Sequence, residues 1–264
     1  MEIQKKYKRG AGMLATESIL KTWEKFNAFP METLTKAWFF RKGTDKKQRD
    51  VSLMREHREQ YGMSGNCFDL ALWLLDEFKK DGVEAYPAGS DLDSEDAHVA
   101  VVAINENGHR YLCDLGDQWI TPILIDTYSE EYTNEKLRGF FPGAEVQVRD
   151  HEMGIEIVYH RPNGKVSKQI YHTNPIEMND FLMAAEFCQN LIHPIPLVEC
   201  RVPYKSETAH WEFYNWESFL STSEGLMMEA KIEKVEDWAD RIYQKTGYNK
   251  EILMDVLLKY KRNQ

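Results

Sequence analysis

The sequence contains no apolar run long enough to span a bilayer. Its start, MEIQKKYKRGAGMLATES, has basic residues but lacks the apolar core of a signal peptide. A cytoplasmic location without a membrane partner is therefore expected. Positive charge is scarce, with 33 Lys and Arg against 43 Asp and Glu and a net charge of −10, which argues against general affinity for nucleic acid or anionic surfaces. The four cysteines, Cys67, Cys113, Cys188 and Cys200, are widely spaced with no CxxC pair, and the eight histidines form no HxxxH pattern. Neither a disulfide framework nor a metal site is expected from them. A glycine-rich nucleotide loop, an internal repeat and a low-complexity segment are also missing.

What is present is an ordinary soluble composition, 42% hydrophobic and 29% charged over 264 residues, long enough for a real core. Apolar residues at helical spacing predict helices over Leu14 to Asn27 and Met31 to Phe39, separated at Pro30. Gly43 to Asp50 reads as a polar, lysine-rich break. A short helix is expected before Tyr61, and a longer one from Cys67 to a stop at Gly82. From Val83 the period changes to two. Strands are expected over Val83 to Ala88, Ala97 to Ile104, His109 to Leu115, Trp119 to Ile125, Gly143 to Arg149 and Gly154 to His160, then from Lys165 to His172 after the turn Pro162-Asn163-Gly164. Asn174-Pro175 reads as a helix start, and Leu197 to Val202 as a strand. The remainder holds a polar-aromatic stretch, the strand-like GLMMEAKI, and helices from about Val235 and Asn249.

The stretch YGMSGNCFDLALWLLDEFKK concentrates the chemistry. Asn66 is a good N-cap and Asp69 stands three residues on, a variant of the capping box, so Cys67 falls at the first helical position. Unpaired backbone N–H groups and the helix dipole favour a thiolate there, while the nearby carboxylate of Asp69 opposes it. His98 opens an apolar strand and Asp114 lies near the end of the next. If the two pair so that residue numbers sum to 212, His98 sits directly opposite Asp114 on one face, whereas a slip of one residue separates them. Taken singly, these residues also have ordinary readings: Cys67 as a small core residue, His98 as a strand-edge histidine, Asp114 as a turn cap. Taken together they read as nucleophile, base and orienting acid.

GNCFDLALWLLDEF, AHVAVVAI and HRYLCDLGDQWITPI together resemble the arylamine N-acetyltransferases, cysteine acyltransferases of transglutaminase-like ancestry. The family's Cys, His and Asp positions fall on Cys67, His98 and Asp114, the last within Asp114-Leu115-Gly116. Asn174 to Arg201 is also similar to that family, so the likeness covers most of residues 1–205 and is densest over 62–124.

The resemblance implies an α+β fold with a cysteine-proteinase-like core: a helical bundle over 1–83, a central antiparallel β-barrel over 84–203, and an α/β lid over 204–264. It implies ping-pong transfer of an acetyl group from acetyl-CoA, through a Cys67 thioester, to a small-molecule amine acceptor, with no permanently bound cofactor. The Cys67 N–H would help hold the oxyanion, a contribution of about 3 kcal/mol per donor. Gly65, Phe68, Gly116 and Trp119 are the expected substrate- or cofactor-binding residues, with core filling an alternative for Trp119. Where the family has Arg-Gly-Gly before the cysteine, this chain has Met63-Ser64-Gly65-Asn66, so that arginine's ion pair is expected to be missing. A cysteine hydrolase or amidase, and a catalytically silent binding scaffold, are the competing expectations.

Overall fold

The computed structural model describes residues 11–39 and 47–262; the basic start up to residue 10 and residues 43–46 of the expected polar break lie outside them. The helix at Cys67 forms as its capping signals predict. Asn66 Oδ1 accepts from the Asp69 N–H at 3.1 Å and Asp69 Oδ2 from the Asn66 N–H at 3.1 Å, a complete capping box. The helix, Cys67–Asp81, ends at Gly82 with φ +74°, a left-handed cap that glycine adopts freely. Its Phe68, Leu70, Leu74 and Phe78 are fully buried.

In chain order the helices are α1 Glu17–Glu24, α2 Leu34–Phe39, α3 Val51–Tyr61, α4 Cys67–Asp81, α5 Met178–Asn190, α6 Val235–Thr246 and α7 Lys250–Arg262. The strands are β1 Met31–Glu32, β2 Glu84–Ser90, β3 His98–Ile104, β4 Arg110–Cys113, β5 Ile123–Leu124, β6 Leu137–Phe141, β7 Ala144–His151, β8 Gly154–His160, β9 Val166–His172, β10 Leu197–Tyr204, β11 Glu207–Tyr214, β12 Glu217–Thr222 and β13 Gly225–Met228. They form three antiparallel sheets, ordered β2-β3-β4-β5, β6-β7-β8-β9 and β1-β10-β11-β12-β13. One core packs α1 and α4 against the first two sheets. The other joins Leu34, Val198, Trp211, Trp238, Tyr248 and Leu257 between the third sheet and α2, α6 and α7.

The α+β class is as expected, but among the described residues no sheet closes into a barrel. Pro87 shows why β2 remains an edge. It has no N–H to donate, and its carbonyl accepts from the Ile176 N–H at 2.9 Å instead of from a further strand. The same bond shortens α5. With Ile176 extended along the sheet edge, the helix expected at Asn174-Pro175 begins only at Met178.

The central hairpin also departs from the expected register. Val101 pairs with Cys113 and Ile104 with Arg110, a sum of 214 rather than 212. Asn105 accounts for the longer loop: its side chain accepts from the N–H groups of Asn107 and His109 at 3.0 and 2.8 Å, and Gly108 turns at φ +81°. A shift of two keeps every side chain on its expected face, so His98 and Asp114 still point the same way, with Asp114 one residue past the end of β4.

Elsewhere the expected helix from Leu14 is shorter, and Met31–Glu32 is a strand pairing with β10. The stretch from Trp119 contributes only the two residues of β5, because Trp119 and Ile120 bond back to Asp114 and across to Phe140.

Candidate active site

Three elements converge on Gly116. A Cβ placed on it would stand 2.8 Å from Cys67 Cβ, 3.1 Å from His98 Cε1 and 3.2 Å from Asp114 Oδ1. Helix α4 brings Cys67 by its tip, β3 brings His98 by its first residue, and the turn after β4 brings Asp114. Any side chain at residue 116 would push them apart.

His98 Nε2 lies 2.7 Å from Asp114 Oδ2, and the Asp114 side chain is fully buried. Asp114 is held in turn: its Oδ1 accepts from the Asp117 N–H at 2.9 Å and its Oδ2 from the Tyr171 hydroxyl at 2.8 Å. Asp117 Oδ1 stands 3.8 Å from His98 Nε2. Burial works against a charged imidazole, but Asp114 and Asp117 outweigh it and hold His98 up at about 10, so the ring is an imidazolium at neutral pH. Burial pushes the Cys67 thiol up, with Cys188 and Asp114 adding to the effect, while the Val99 backbone N–H favours the thiolate. A thiol beside an imidazolium needs to lose one proton from the pair to become a thiolate–imidazolium nucleophile.

Asp69 is turned away from this pair. Its Oδ2 lies 3.0 Å from Arg49 Nη2, with both side chains buried, and its Oδ1 accepts from Gln48 Nε2 at 2.6 Å. Arg49 also donates to the Ser64 carbonyl at 2.8 Å. An arginine pair therefore does stand at this helix start, supplied from residue 49 rather than from the residues before the cysteine. Gly65 makes room for it: at φ +138° it lies so close that a Cβ would run into Asp69 Oδ2 and stand 2.6 Å from Arg49 Nη2. Phe68 is fully buried with its ring 5.3 Å from that of Phe181, and Trp119 is fully buried beside Phe141 and Tyr159.

A cavity of about 420 Å³ opens from Asp117 between the second and third sheets. Arg161, Lys165 and Lys168, around the β8–β9 turn, line it on one side, and Glu199, His210 and Glu212 on β10 and β11 line it on the other. Among the described residues two groups, His98 with Asp114 and Asp117, and Glu199 with His210 and Glu212, bring ligand atoms within 4.8 Å of one another. In the first group Asp114 is already engaged by three hydrogen bonds, which suits an ion-paired imidazole better than a metal.

No family model matches the sequence, and no curated protein matches it. Solved structures do. The arylamine N-acetyltransferase of Mycobacterium marinum aligns at TM-score 0.70 with 13% identity over 96% of this chain and 95% of that one. The Salmonella typhimurium enzyme aligns at 0.67 with 12% identity over 90% and 89%. This is the arylamine N-acetyltransferase fold. The Mycobacterium marinum enzyme has also been solved in complex with CoA, at TM-score 0.68, 12% identity and 96% of both chains. A further protein of this fold, from Bacillus cereus, has a Cys-His-Glu catalytic triad; it aligns at 0.61 with 12% identity over 90% of this chain and 92% of that one.

Sequence reasoning missed five residues of this N-acetyltransferase-fold site: Arg49, Tyr171, Glu199, His210 and Glu212. Tyr171 and Arg49 are far from Cys67 in sequence and carry no local motif. Alternation along β10 and β11 was the available signal, since it sets Glu199, His210 and Glu212 on one face once the register is known.

Proposed function

We propose that this protein is a cysteine-dependent acyltransferase that moves an acetyl group from acetyl-CoA, through a Cys67 thioester, to an amine acceptor. One observation carries the reading: the sulfur-bearing carbon of Cys67 and the ring of His98 pack against the same glycine while a buried carboxylate holds that ring. The fold, which is that of enzymes carrying this name, supports it, as does the CoA complex of the Mycobacterium marinum protein. The basic side of the cavity offers counter-charge to a co-substrate bearing phosphates.

In the first half-reaction the Cys67 thiolate attacks the acetyl carbonyl, a C–S bond to Cys67 forms, and the CoA thiolate leaves with the proton that His98 donates. In the second, an amine attacks the thioester, its proton passes to His98, and the Cys67 thiolate leaves as the amide forms. Asp114 keeps the ring oriented and stabilises its charged form. Gly116 gives these groups room, Gly65 makes room for the Asp69–Arg49 pair at the same helix start, and the basic wall of the cavity is where the phosphates of the donor are held.

Mixing the protein with acetyl-CoA and reading intact mass tests this directly. One acetyl group should appear, be lost in Cys67→Ala, and be discharged faster by an arylamine than by water. No adduct with any acyl-CoA overturns the reading, and discharge indifferent to amine leaves a hydrolase.

A further inference from the structure

The acidic side of the cavity is used by neither half-reaction. Glu199 and Glu212 are direct cross-strand partners of β10 and β11, so their side chains rise from adjacent points on one face. Like charges directly opposite one another destabilise a sheet. Neither carboxylate accepts a hydrogen bond from a described side chain or backbone N–H. His210 shares their face and is 9% exposed; its Nε2 lies 3.4 Å from Glu199 Oε1 but makes no hydrogen bond.

We propose that Glu199, Glu212 and His210 form an acceptor subsite for a cationic nitrogen, so that the preferred acceptor carries an ammonium group remote from the amine that is acetylated. The proposal rests on the acyl-transfer reading above and deepens it. Volume decides against a bare metal ion: a water occupies about 30 Å³, whereas 420 Å³ falls in the range of small organic ligands. Position decides for the acceptor, because Asp117, 3.8 Å from the His98 ring, lines the same cavity as the two carboxylates. An ammonium offers three donors to groups that need donors: two carboxylates and an imidazole with a free acceptor nitrogen.

The electrostatics agree. Burial, then the charge of Glu212, pushes Glu199 well above the usual carboxylate range, and burial pushes Glu212 up to about 7 against the pull of Arg161, so the pair lacks a cation that holds it ionised and an incoming ammonium takes the place of a bound proton. Burial, with Arg161 adding to it, depresses His210 to about 4, so its ring is neutral and can accept. Arg161 stands close enough to act on Glu212 and His210 but forms no ion pair with either carboxylate, and in a ping-pong cycle the phosphate-bearing donor leaves the basic side before the acceptor enters.

The test compares 4-(aminomethyl)aniline with 4-methylaniline, which differ by one ammonium group. The protein should discharge its acetyl group to the diamine with kcat/KM about tenfold higher, the equivalent of one 1.4 kcal/mol contact, and in the Glu199→Gln/Glu212→Gln double variant this ratio should fall to about one. A ratio near one in the parent, or one that survives in the variant, overturns the subsite. Because the ratio is internal to each protein, partial misfolding does not imitate the effect. If no acetyl adduct forms, acyl transfer fails while the subsite is still tested: calorimetric titration of the unloaded protein with 4-(aminomethyl)aniline should show binding that the double variant loses, and its absence in the parent overturns the subsite independently.

Discussion

His98 depends on Asp114 twice, through charge and through a 2.7 Å hydrogen bond. Asp114→Asn should lower the imidazole pKa from about 10 towards its ordinary value, as read by histidine proton NMR, and slow acetyl loading about 10²- to 10⁴-fold. The sign for stability follows from the raised pKa. A histidine charged more readily in the folded than in the unfolded chain stabilises the fold fully below its unfolded pKa of about 6.5 and loses that contribution as pH rises towards 10. Thermal unfolding of the parent should therefore weaken between pH 7 and 10 more steeply than that of the Asp114→Asn variant. Tyr171→Phe removes one bond to the same carboxylate and leaves the Asp117 N–H, so a loss of about 1 kcal/mol, or five- to tenfold in loading rate, is expected.

At the scale of the element, the tip of α4 is held by two devices that differ in cost. Asn66→Ala deletes one arm of the capping box and should destabilise by about 1 kcal/mol in urea unfolding. Gly65→Ala does more, because its methyl would displace Asp69 from Arg49 and leave two buried charges unpaired; about 3–5 kcal/mol is expected. Gly116→Ala acts on chemistry instead. Its methyl would wedge between Cys67 and His98, so acetyl loading should collapse while far-ultraviolet circular dichroism keeps its parental shape. A Gly116→Ala variant that loads normally would show that the three side chains need not share this point.

At the scale of the molecule, Arg201 ties the third sheet to the rest. From β10 it donates to the carbonyls of Trp119 at 2.8 Å and Phe26 at 2.6 Å and lies 5.5 Å from the Trp23 ring. Arg201→Ala strips both carbonyls of a charged donor and should cost about 3 kcal/mol, seen as an earlier midpoint in denaturant with tryptophan fluorescence. The α+β class, the Cys67 helix with its cap, and the shared face of His98 and Asp114 were legible in the chain because each depends on spacing and parity that a few neighbouring residues set. The strand register, the open sheets and the shortened α5 were not, since a loop knitted by Asn105 and a proline-bearing edge met by Ile176 involve bonds between segments that no local pattern encodes. The same division holds for the site. The sequence by itself determined which residue types stand at a helix tip, a strand start and a strand end. Only the tertiary structure decided that Arg49 answers Asp69, that Tyr171 holds Asp114, and that Glu199 and Glu212 face one cavity, because partners 13 to 57 residues apart meet only when packing brings their elements together.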